Sequence, residues 1–80
     1  MSQDHDIGVI VRFHRKKAGL TQIELANLAG VGKTVVFDIE NNKESVQCDT
    51  FRKVLRALNI AIVFDSPLMK EFEQHEKRQG

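Results

Sequence analysis

Cysteine, proline and large aromatics are nearly missing from this 80-residue chain, which has one cysteine, one proline, and neither tryptophan nor tyrosine. A lone Cys48 can form no intrachain disulfide and cannot hold a structural zinc by itself. As a free thiol it is expected to be buried or half-buried. No apolar run approaches the roughly 18 residues that a membrane span needs. The first residues, Met1-Ser2-Gln3-Asp4, carry neither a basic n-region nor an apolar leader core, so a cytoplasmic protein is expected. Excess charge is missing as well, since the net formal charge is only +1. That is too little for a protein that grips polyanions without selectivity.

What is present is one small domain's worth of chain, with a core thin enough that help from a second copy is expected. The basic residues are clustered: Arg12, Arg15, Lys16 and Lys17 form one group, Arg52, Lys53 and Arg56 another, with Lys33 and Lys43 between them. The second group is as compatible with a solvated face as with a ligand.

Helical periodicity opens at Ile7, with Ile10, Val11 and Ala18 on one stripe and Phe13 at its margin. Gly19 ends that helix, and Lys16 and Lys17 suit its negative end. The next start signal is complete: Thr21 as cap, Glu24 three residues on as the second half of a capping box, and Leu20 with Leu25 as a hydrophobic staple. This second helix is expected from about Gln22 to Gly30. A third opens at Lys33 and runs to Ile39, with Val36 and Ile39 inward. Its β-branched run Thr34-Val35-Val36 has poor intrinsic helicity, so tertiary packing must hold it. After an Asn41-Asn42-Lys43 turn, Phe51, Val54, Leu55 and Leu58 mark a fourth helix capped by Cys48 or Asp49 and ended by Asn59.

Ile60-Ala61-Ile62-Val63-Phe64 reads as a lone strand, stopped by Asp65-Ser66-Pro67. Antiparallel pairing with a second copy, through Ile60, Ile62, Val63 and Phe64, satisfies its main chain across a two-fold axis. The alternative is an extended segment packed on the first helix. The expected fold is therefore all-α, four compact helices over residues 1–65 with a C-terminal strand that pairs across a dimer. Residues 66–80 are expected to be a flexible charged tail.

Two short helices joined by a tight glycine turn place the first across a phosphate backbone and the second in the major groove of DNA. The motifs Thr21-Gln22-Ile23-Glu24-Leu25-Ala26, Ala29-Gly30-Val31 and Ile39-Glu40-Asn41-Asn42-Lys43 resemble the phage-repressor-like (Xre, Cro/C1-type) helix-turn-helix family over about residues 7–60. Residues 33–41, the Thr50–Leu58 helix and the terminal strand are most similar to the HipB-like antitoxin regulators. That resemblance implies a lambda-repressor-like fold, a homodimer on a palindromic operator in double-stranded DNA, repression of its own operon, and a HipA-like serine/threonine kinase toxin as partner. It also implies that Gln22 contacts a phosphate and braces the reading helix, and that Arg15 and Glu40 form a structural ion pair.

By position and chemistry, Lys33 could donate to guanine, Thr34 could touch thymine, and Asp38 could accept from cytosine N4. Phe37 could pack on a thymine methyl or cover the core edge. Arg12, Lys17, Asn41 and Lys43 are candidates for phosphate contact. Gly32 stands where the family more often has a side chain, leaving backbone approach to phosphate instead.

An enzyme is not expected. His5, His14 and His75 do not converge on a metal, Asp4-His5-Asp6 is a weak ligand set, and phosphate loops and nucleophile elbows are missing. No cofactor, metal, membrane or small-molecule substrate is implied, and the core has no room for an inducer cavity. Single-stranded RNA readers need exposed stacking aromatics that the third helix lacks. A stand-alone phage-type or metabolic repressor, or a module that silences a protein partner without reading DNA, stays open beside the antitoxin.

Overall fold

The computed structural model describes residues 6–79, so Asp4 and His5 of the weak ligand set, and Gly80 of the tail, lie outside the described residues. Five helices follow in order: α1 (Ile7–Lys17), α2 (Gln22–Ala29), α3 (Val35–Glu40), α4 (Cys48–Ala57) and α5 (Met69–Gln79). The first four enclose one core of Val11, Leu25, Ala26, Val36, Ile39, Val54 and Leu55, every one of them essentially inaccessible to water. α3 packs on α1, α2 and α4, and α2 packs on α4. The six-residue α3 is too short to be helical alone. Val36 and Ile39, sunk into that core, are what hold it in place.

Several boundaries differ from the sequence reading. Lys33 and Thr34 belong to a turn closed by the Val35 amide donating to Gly32 O (3.0 Å), and the helix proper begins two residues later than expected. Of that β-branched run only Thr34 is left outside the helix, as its N-cap, while Val35 and Val36 are held in it by packing on the core. α4 is preceded by Gln47, whose side chain makes no cap, rather than capped by Cys48 or Asp49. Cys48 is exposed, contrary to the expectation of burial, because it sits at the first turn, ahead of the apolar stripe that starts at Phe51.

The inner stripe of α1 is Gly8, Val11 and Arg15, while Ile7 is 43% exposed and Ala18 is exposed. The first turn of α1 lies so near the end of α3 that only a residue without a side chain fits there. A Cβ on Gly8 would stand 2.6 Å from Glu40 O and 2.8 Å from Ile39 O.

Among the described residues no strand is formed, and residues 60–66 carry no regular secondary structure. A strand requires a ladder partner, and a single copy supplies none. Ile60 packs against the core, but Val63 and Phe64 are 81% and 73% exposed.

The segment expected as a tail folds instead into α5, making five helices rather than four. Its residues are mostly strong helix formers, with Glu71 in the first turn and Lys77 and Arg78 in the last, the order that complements the helix dipole. The apolar stripe that revealed the other helices is reduced here to Leu68, Met69 and Phe72. Among the described residues no helix is long and apolar enough to cross a membrane.

Candidate nucleic-acid interface

The α2–turn–α3 unit is built by local chemistry at both of its joints. At the start of α2, Glu24 N–H donates to Thr21 Oγ1 (3.1 Å) while Thr21 N–H donates to Glu24 Oε1 (2.8 Å), so two otherwise unpaired amides are satisfied reciprocally. At its end Gly30 takes φ +74°, and the Val31 amide donates back to Ala26 O (3.0 Å). That left-handed residue turns the chain toward α3 within the five-residue connection Gly30–Thr34.

The turn and the first turn of α3 present Lys33, Thr34 and Phe37 to solvent. Phe37 is 53% exposed and therefore does not cover the core edge, so α3 carries one exposed aromatic where none was expected. Asp38 is half-buried, and its carboxylate stands 3.8 Å from Lys43 Nζ, so the residue read for a base edge and the one read for phosphate face each other. Such an open pair contributes little to stability and is readily broken by a competing ligand. Asn41 is exposed and uses one amide hydrogen on Phe37 O (2.8 Å). Gly32 is exposed, and a Cβ there would only touch Val35 Cγ2 at 3.7 Å. Nothing within the protein demands a glycine at that place.

Beneath this surface Glu40 is held by three donors. Arg15 Nε donates to Oε2 (2.6 Å), and Arg15 Nη2 (3.1 Å) and Gln22 Nε2 (3.0 Å) donate to Oε1. The same guanidinium donates to Leu20 O (2.8 Å), linking α1 to the approach of α2. Both side chains of the pair are at most a tenth exposed. Burial alone would raise the Glu40 carboxyl, but the hydrogen bonds from Arg15 and Gln22 outweigh it and hold the group below the usual carboxylate value. The hydrogen bond to Glu40 raises Arg15.

Arg12 is exposed, yet its charge reaches Glu40, which places it toward the end of α3. Lys17 instead lies 5.7 Å above the Phe13 ring, at the far end of α1. The residues read for the dimer, Ile60, Ile62, Val63 and Phe64, belong to the segment after α4. Sequence reasoning missed Gly8 and the Asn42 side chain, whose Oδ1 accepts from the Gly8 amide at 3.2 Å. The available signal was a glycine three residues before Val11, on the helix's inner stripe.

The Helix-turn-helix family model matches residues 11–64, which include all of this unit. The chain belongs to the Xre-type helix-turn-helix family. It is a DNA-binding transcriptional regulator of that kind. Over 62 residues it is 40% identical to an uncharacterized HTH-type transcriptional regulator, y4mF, of Sinorhizobium fredii, a match covering 78% of this chain and 82% of the relative. Its fold is similar to that of a chain in the HipA-HipB-O2-O3 complex, with TM-score 0.69 and 23% identity, covering 84% of this chain and 97% of that one. A chain in a HipB-O4 20mer complex matches with TM-score 0.69 and 23% identity, covering 84% and 99%. At that identity the likeness is one of fold. It takes in both the helix-turn-helix core and most of the chain that follows.

Proposed function

We propose that this regulator is a repressor that binds a palindromic operator in its own promoter as a homodimer, and that it is the antitoxin of a HipBA-like type II operon whose toxin is a HipA-like kinase. The observation that carries this reading is the extent of the fold match, which spans nearly the whole of a chain found in a HipA-HipB-O2-O3 complex rather than a helix-turn-helix core alone.

Lys33, Thr34 and Phe37 read base edges, and Asp38 joins them when Lys43 swings from it to a phosphate. Arg12, Lys17, Gln22, Asn41 and the Gly32 backbone set the register on phosphates. The segment 61–65, which makes no backbone hydrogen bond among the described residues, supports the dimer. Beside it runs an open groove of about 340 Å³, lined in part by Leu55, Ile60 and Ile62, where the same segment of a second copy can lie.

A footprint on the DNA upstream of the chain's own gene tests the reading. Two half-sites about one helical turn apart are expected. Lys33→Ala should relax base preference, whereas Lys43→Ala should weaken every site alike and flatten the salt dependence. Indifference to both substitutions would refute the assignment of the reading surface. For the toxin, the product of the adjacent gene should co-purify with the chain and lose kinase activity in the complex; a neighbour without a kinase fold would leave a stand-alone repressor.

A further inference from the structure

Glu40 is gripped by α1 twice. Its side chain is bound by Arg15, and its backbone carbonyl lies against Gly8, two helical turns away along the same face of α1. Around Gly8 the fit is backbone on backbone, because a Cβ would come within 2.9 Å of Glu40 C as well as overlapping the carbonyl oxygens of Ile39 and Glu40.

Asn42 locks this contact. It leaves α3 with φ +58°, its amide donates to Ile39 O (3.0 Å), and its side-chain oxygen accepts the Gly8 amide. Gly8 N–H is among the first amides of α1, which lack partners inside the helix. Asp6, at the N-cap position, makes no side-chain cap. The cap of α1 thus comes from Asn42, just beyond the C-cap of α3 and 34 positions away.

We propose that Gly8 and Asn42 are positioning residues for DNA reading: together they form a clip that fixes the tilt of α3 against α1, and with it the placement of the base-reading side chains relative to the phosphate-binding ones. This rests on α3 being the reading helix. α3 is only six residues long, so a shift of its C-terminal end by part of an ångström tilts the whole helix. Base contacts tolerate such tilts poorly, since paired hydrogen bonds to a base edge need fixed direction. Contacts made by long flexible cations to phosphates tolerate them well.

The test measures the affinity of the full chain for a duplex that the wild-type chain selects from a random-sequence pool, and for a scrambled duplex of the same composition. Gly8→Ala should lower the ratio of the two affinities on the order of tenfold, the size of one lost base contact, while the salt slope on the scrambled duplex stays unchanged. Asn42→Gly retains the left-handed backbone but removes the acceptor, and should lower the ratio about threefold, the scale of one net hydrogen bond. Asn42→Asp retains an acceptor and should restore the ratio. Val54→Ala, in the core on α4, should lower the melting temperature with no effect on the ratio.

If Gly8→Ala does not fold, the Asn42 pair decides. The clip is refuted if Asn42→Gly gives the wild-type ratio, if it lowers both affinities equally, as simple destabilisation would, or if Asn42→Asp lowers the ratio as much as Asn42→Gly does. A wild-type chain that selects no duplex at all would refute the helix-turn-helix reading instead, which is a separate result.

Discussion

Glu40 does more than its place in a pattern of charges implies. Four partners from two elements meet on it: Arg15, Gly8 and, through its charge, Arg12 from α1, and Gln22 from α2. Its folded-state pKa is depressed, so its contribution to stability is fully present above the ordinary carboxylate value of 4.5 and is lost as pH falls through the lower folded value. Thermal melts should therefore hold level from neutral pH to about that ordinary value and drop below it. Glu40→Gln should cost about 2–3 kcal/mol at pH 7, because it leaves the Arg15 guanidinium buried beside a neutral amide. It should also flatten the acid limb of the profile. Equal stability of the two proteins at pH 7 would contradict this account.

Among the elements, the turn between α2 and α3 separates two glycines that look alike in the sequence. Gly30 is in the left-handed region, whereas Gly32 is not, and a Cβ there would make only an ordinary contact with Val35. Gly30→Ala should cost about 1 kcal/mol, a fall of several degrees in melting temperature for a domain of this size. Gly32→Ala should leave stability level or slightly raised. If the Gly32 backbone does approach a phosphate, that substitution should weaken binding to all duplexes alike. Calorimetry together with titration on two unrelated duplexes separates the effects.

The same unit shows what was legible in advance. Thr21, Glu24, Leu20, Leu25 and Gly30 act on near neighbours, so their spacing alone located α2 and its exit. The periodicity puts Lys33 and Thr34 inside the helix of the proposed reading element, because the competition between β-branched propensity and core packing is not visible in a period. Gly8 and Arg15 escaped the apolar stripe of α1, since one has no side chain and the other is buried only by a residue 25 positions away. α5 escaped for the opposite reason. It is carried by helix propensity and charge order in a segment with little to bury.

At the scale of the whole molecule, one copy leaves Ile62, Val63, Phe64, Leu68 and Phe72 in water beside a core of only seven buried apolar side chains among the described residues. The proposed pairing of residues 60–64 across a two-fold axis removes part of that apolar surface and sets the distance between two reading surfaces. Ile62→Pro takes one donor out of the ladder and should shift sedimentation toward the monomer. Binding to a single half-site should survive in that variant, and cooperation between half-sites should be lost. An unchanged dimer would exclude this strand as its basis.

If α3 is the reading helix proposed above, its brevity also couples sequence reading to global folding. A helix of six residues has no existence apart from the core that holds Val36 and Ile39. Heat, denaturant or a protease that opens the core erases the reading surface in the same event, leaving no partly unfolded form that still recognises its site. Mass action then runs in reverse as well. A bound operator withdraws the folded form from the unfolding equilibrium, so occupied copies should outlast free ones in the face of proteolysis by a factor set by operator concentration over its dissociation constant. The lifetime of each copy would thus report whether it is bound to its DNA site.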